Sequence, residues 1–121
     1  MNACAALSDF GFVSVGRDRK LRIWNSQNQN HPEAIDTGHT HSVKSVAATP
    51  DGAQIATGSY NGTFSVYDRL AEKWIYSSRL THAGISSINP CSDGFIASSY
   101  DGTVYRVPMN TVKSEGNSYV L

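Results

Sequence analysis

A serine, a histidine and an aspartate can together activate a nucleophile, and this chain offers several of each. Its histidines are His31, His39, His41 and His82, and its cysteines are Cys4 and Cys91. The histidines lack the clustered spacing of zinc ligands, and the cysteines lack the paired spacing of a zinc site or a CxxC redox motif. No metal and no cofactor is therefore expected. The thiols read as reduced, or as joined in one disulfide. There is no Gly-rich phosphate loop. The stretch "RDRKLR" (17–22) crowds four basic residues together, a pattern that suits phosphate or nucleic acid. A strand alternates its faces, so Arg17, Arg19, Lys20 and Arg22 cannot all project together; solvated charge at a turn and strand edge is the preferred reading. Asn61-Gly62-Thr63 fits the glycosylation sequon. It reads better as a tight turn, because Gly supplies a positive φ and Asn tolerates one.

What such residues can do depends on the elements that hold them. The 121 residues suffice for one buried core. Ten Lys and Arg balance ten Asp and Glu, so no global field steers the chain toward nucleic acid or an anionic membrane, and an electrostatic partner must be recognised by a local patch. The N-terminal "MNACAALSDFGF" has no basic n-region and is interrupted by Asp9 and Gly11, which makes it a poor signal peptide. No apolar run approaches the roughly 18 residues that span a bilayer. The expectation is an intracellular protein, cytoplasmic or nuclear, with no membrane attachment.

Internal repetition organises everything else. Asp18, Asn61 and Asp101 sit in three similar stretches, "SVGRDRKLRIWN" (14–25), "TGSYNGTFSVYD" (57–68) and "ASSYDGTVYRVP" (97–108), and are 43 and 40 residues apart. Around each, β-branched and aromatic residues alternate with polar ones between Gly, Asn, Asp and Pro punctuation, the pattern of short strands. The middle copy predicts strands at 42–49, 53–59, 63–68 and 72–80. The first predicts strands in "NACAALS", "FGFVSVG" and "KLRIWN" and a weaker one near "EAIDT"; the third predicts "GISSIN", "GFIASS", "TVYRVP" and a terminal "NSYVL". The stretches 25–33 and 109–117 read as loops. No helix is expected.

The segment "GHTHSVKSVAATPDGAQIATGSYNGTFSVYD" (38–68) resembles a WD40 repeat: a Gly-His pair, a strand, Pro-Asp-Gly, a second strand with Gly-Ser, an Asn-Gly-Thr turn and an aromatic-Asp ending. The first copy ends in Trp-Asn in place of Trp-Asp, and the third has Thr-His in place of Gly-His. The resemblance covers nearly the whole chain in three phases. It implies an all-β chain of about three four-stranded antiparallel β-propeller blades, near 1–37, 38–80 and 81–121, with each first strand nearest a central channel.

The family's buried hydrogen-bond network, carried over by position, implies structural roles for Ser14, Asp18 and Trp24 in the first copy. It implies them for His39, Thr57, Asn61 and Tyr67 in the second, and for His82 and Asp101 in the third, where Ala97 and Val107 occupy the remaining positions. A catalytic set should occur once and intact; these positions recur in each copy and decay separately, so the network reads as structural. Degeneracy in the second and third copies predicts looser blades there, because Ala97 and Val107 cannot hydrogen-bond. His31 and His41 fall outside the repeat positions and have no obvious partner. The Phe-Arg-Arg-Gly type motif of phosphoinositide-binding propellers is absent.

Residues just before the turn Asp or Asn, Arg17, Tyr60 and Tyr100, are expected at one end of the propeller. There the family often carries partner contacts, together with residues at the start of the first strand, here Ser42, Lys44 and Ser86. Tyr and Arg dominate interface energetics. The reading is a non-enzymatic scaffold that binds protein or peptide partners; the alternative is nucleic-acid or anionic-ligand binding through Arg17–Arg22. Propellers close with four to eight blades, so three leave apolar faces uncovered. The chain starts in a first strand and ends in a fourth, without the terminal strand exchange that usually closes such rings. Three explanations stand open: a piece of a longer propeller, copies assembling into one ring, or docking on another propeller subunit.

Overall fold

The computed structural model describes residues 1–7, 11–25 and 31–109, together with the backbone of 117–119. Most of the loops expected at 25–33 and 109–117 lies outside the described residues, as do Ser8 and Phe10 of the expected first strands and the last two residues. The described residues form twelve strands and no helix. They are β1 (Ala3–Ala6), β2 (Phe12–Val15), β3 (Lys20–Trp24), β4 (Glu33–Asp36), β5 (Val43–Ala48), β6 (Gln54–Ser59), β7 (Thr63–Asp68), β8 (Lys73–Arg79), β9 (Ile85–Cys91), β10 (Gly94–Ser99), β11 (Val104–Pro108) and β12 (Asn117–Tyr119). Consecutive strands pair antiparallel into three four-stranded sheets, β1–β4, β5–β8 and β9–β12.

The middle sheet shows why the composition alternates as it does. Along β6, Ile55 and Ala56 point to opposite faces by the period of two, yet both are fully buried. Ile55 joins Val13, Val15, Leu21 and Ile23 of the first sheet, whereas Ala56 joins Phe64, Phe95 and Val107 on the side of the third. A sheet covered on both faces needs apolar or small residues at successive positions, and "QIATGS" supplies them. Phe64 and Phe95, both 0% exposed, meet edge-on across the second interface with ring centroids 6.1 Å apart.

The innermost strands β1, β5 and β9 line one side of a shared groove, with Ala3–Ala6, Lys44–Ala48 and Ser86–Pro90 along its wall. β9 runs past the strand expected to stop at Asn89 and includes Pro90, which pairs with Phe95. Because β9 is an edge strand of its own sheet, paired only with β10, the missing proline N–H faces the open edge and costs no ladder bond. The ring is open. On the outer face of the first sheet Phe12 stacks on Trp24 at 5.5 Å, and Ile96 faces outward from the third.

Candidate functional site

The turn between the second and third strands is built the same way in every sheet. The side-chain oxygen of Asp18, Asn61 or Asp101 accepts the backbone N–H two residues on, from Lys20 (3.2 Å), Thr63 (3.2 Å) and Thr103 (3.0 Å). This is the local bond that suits Asp and Asn to turns. The next residue is left-handed in each copy: Arg19 at φ 64, Gly62 at φ 91 and Gly102 at φ 89.

Around these turns the positions of the implied network diverge. In the first sheet Trp24 Nε1 donates to Ser14 Oγ at 2.9 Å, while Asp18 pairs with Arg22 at 2.6 Å. The Arg22 bond holds the Asp18 carboxyl below its usual range and raises Arg22 in turn. In the second, His39 Nε2 lies 2.9 Å from the buried Thr57 Oγ1, and burial pushes the His39 pKa down to about 4. Its Nδ1 is buried and meets no hydrogen-bond partner among the described residues. Asn61 turns away from it, accepting from Ser59 and donating Nδ2–H to Thr40 Oγ1 at 3.3 Å. Tyr67 packs edge-on against Trp74, whose indole N–H donates to the Asp36 carbonyl.

In the third sheet His82 is exposed, and Thr81, itself buried, donates to Asp101 Oδ2 at 3.2 Å. The Ser99 hydroxyl first, and then the Thr103 amide, hold the Asp101 pKa down to about 2. Ala97 and Val107, 0% and 1% exposed, are packed into the core beside Phe95. The third copy thus replaces hydrogen bonds with apolar contact at those positions.

Of the six expected partner-facing residues, three come together. The rings of Tyr60 and Tyr100, 58% and 60% exposed, stand 6.4 Å apart and tilted by 58°. Lys44 Nζ sits 5.6 Å from the Tyr60 centroid. With His82, Ala83 and Gly84 these residues line an open cleft of ≈ 540 Å³ where the second and third sheets meet. Backbone bonds fix the two tyrosines alike, Tyr60 N–H to Ser42 O at 2.9 Å and Tyr100 N–H to Gly84 O at 3.0 Å.

The other three lie elsewhere or are engaged. Arg17 lines a different cleft, beside Met1, Ser14 and Trp24. Ser42 Oγ accepts a 2.8 Å bond from Asn2, and Ser86 Oγ turns to Ser98 at 2.9 Å. Within the basic stretch, Lys20 pairs with Asp36 at 3.8 Å and Arg22 with Asp18, so two of its four charges are locally neutralised. His82 and Gly84 belong to the cleft without having been assigned to it from the sequence. Thr81-His82 aligns with Gly38-His39 by residue type, but Thr37 and Thr81 each accept the backbone N–H two residues on, from His39 and Ala83, so Ala83 and not His82 is the counterpart of His39. Cys4 and Cys91 are free thiols, and among the described residues no three His, Cys, Asp or Glu side chains come together as metal ligands do.

A family model described as WD domain, G-beta repeat, matches residues 31–68. Among similar proteins, a probable cytosolic iron-sulfur protein assembly protein 1 of Yarrowia lipolytica is 36% identical over 47% of this chain and 18% of its own length. The small ribosomal subunit protein RACK1y of Oryza sativa subsp. japonica is 34% identical over 53% of this chain and 19% of its own length. The chain thus spans less than a fifth of these relatives. A chain in a crystal structure of the mitotic checkpoint complex shares the fold over 98% of this chain and 36% of its own, with a TM-score of 0.81 at 17% identity. Residues 31–68 thus carry a WD domain, G-beta repeat, set within three four-stranded sheets in consecutive strand order, a fold this chain shares with that solved structure.

Proposed function

We propose that this chain is a non-enzymatic interaction module and that the Tyr60–Tyr100 cleft is where it holds a protein or peptide partner. One observation carries the reading: two tyrosines at equivalent turn positions of adjacent sheets converge on one open cleft while keeping more than half of their surface in water. Large amphipathic rings exposed in pairs are what interface hot spots are made of.

The blades near 1–37, 38–80 and 81–121 act here as parts of a larger ring. The short span relative to the similar proteins and the outward-facing Phe12, Trp24 and Ile96 favour completion by further blades, whether in one chain or in a complex. An intracellular setting is supported by two similar proteins, one a cytosolic iron-sulfur protein assembly protein and one a protein of the small ribosomal subunit.

The test is a selection of phage-displayed random dodecapeptides on the full chain. The strongest clones, made as free peptides, are then titrated against wild type, Tyr60→Ala/Tyr100→Ala and Leu70→Ala. Leu70, 90% exposed, lines the cleft at the opposite end of the sheets. The tyrosine pair should cost at least about 30-fold in affinity and Leu70→Ala nothing. Peptides indifferent to the tyrosines, or no selected peptide at all, would refute the reading.

A further inference from the structure

We infer that the occupant of this cleft is a peptide segment carrying a carboxylate next to an apolar side chain, with the carboxylate on Lys44 and the apolar group against the exposed ring surfaces of Tyr60 and Tyr100. The inference rests on the partner-binding reading of the same cleft and adds the chemistry of the partner.

Shape comes first. Rings tilted by 58° with centroids 6.4 Å apart rest against each other, and each residue still keeps more than half of its surface in water, so the pair offers an apolar patch to solvent. The floor is backbone. A Cβ added at Gly84 would lie 2.8 Å from the Tyr60 carbonyl oxygen and 2.9 Å from the Tyr100 ring, so glycine just before β9 lets the Tyr60 turn and the Tyr100 ring pack closely beneath the cleft. Leucine, proline or an aromatic side chain packs on such a surface, because apolar and aromatic contact needs no donor there.

Charge then selects the neighbour. The residues lining the cleft are Lys44, Tyr60, His82, Ala83, Gly84 and Tyr100, with no carboxylate among them. Lys44 takes part in none of the ion pairs among the described residues. Asp101, next in sequence to Tyr100, is committed to Ser99, Thr81 and Thr103. Asp18 and Asp36, in the other turns of this end, are paired with Arg22 and Lys20. An acidic group arriving at the cleft therefore finds an ammonium that is in no ion pair among the described residues and sits over the Tyr60 ring, whereas a basic group finds repulsion and no acceptor charge. The cleft at the opposite end is lined by Asp51, Asp68 and Asp93, so the same peptide is not drawn there.

The dodecapeptides selected on the full chain supply the test. They should be enriched in Asp or Glu within two positions of an aromatic, Leu or Pro residue. The strongest should weaken by about tenfold or more on Lys44→Met, a variant that keeps an unbranched side chain and removes only the charge, and equally on Glu→Gln or Asp→Asn in the peptide. Affinity should also fall with added salt. Near-ultraviolet circular dichroism matching wild type shows that Lys44→Met is folded. Tyrosine-dependent peptides that lack an acid, or that ignore Lys44→Met, would overturn this inference alone. Peptides that ignore Tyr60→Ala/Tyr100→Ala would overturn the partner-binding reading with it.

Discussion

Acidification should destabilise the middle sheet through one residue, His39. Its ring is 5% exposed and bonded through Nε2 to Thr57, and burial pushes its pKa from the ordinary 6.5 down to about 4. The unfolded chain therefore takes up a proton at a higher pH than the folded one. Stability from this group is complete above the unfolded value and is lost as pH falls from 6.5 toward 4. Integrated between roughly pH 7.5 and pH 5, the loss is about 2 kcal/mol. Urea unfolding followed through Trp24 and Trp74 fluorescence measures it directly. His39→Gln retains an amide that can bond Thr57 but cannot titrate; it should be less stable than wild type at neutral pH by about 1 kcal/mol and should lose most of the pH dependence. A wild-type midpoint unchanged over that interval, or a variant whose stability falls in parallel with wild type, would refute the reasoning.

Further outcomes follow from packing and turn geometry. Phe95→Ala removes a fully buried ring that meets Phe64 across two sheets and should cost about 3–5 kcal/mol in equilibrium unfolding. Arg19, left-handed at φ 64 where the other copies have glycine, should gain about 1 kcal/mol on Arg19→Gly, read as a higher denaturation midpoint. Gly62→Ala and Gly102→Ala both impose left-handed strain, but only at Gly62 would the new Cβ meet backbone, 1.9 Å from the Thr81 carbonyl oxygen. The first should thus be much the more destabilising of the two, by the same unfolding assay. Ser14→Ala should cost about 1 kcal/mol by stranding the Trp24 indole N–H.

The strands were legible because their alternation is local. "GFIASS" and "TFSVYD" coincide with β10 and β7 to the residue, and the others shift by one or two positions. Pro90 is the instructive exception: proline signals a strand end, and only the position of β9 at the edge of its sheet removes the penalty. The turn residues were legible for the same reason, since Asp18, Asn61 and Asp101 act through bonds two residues away. Contacts between distant residues were not. Aligning His82 with His39 gives no hint that Thr81 would take the Asp101 carboxylate and leave His82 in solvent. Tyr67 was placed by its alignment with Trp24, yet its partner is Trp74. The tyrosine pair was visible as a repeated position, whereas Lys44 over Tyr60 and the backbone floor at Gly84 depend on how the second and third sheets meet.

The central claim is that the tyrosine cleft holds the partner, and isothermal titration calorimetry of the strongest selected dodecapeptide against the full chain tests it most directly. Wild type should bind with one site, and Tyr60→Ala/Tyr100→Ala should weaken that binding by at least about 30-fold while unfolding at the same urea concentration. Equal affinity for the two proteins would contradict it.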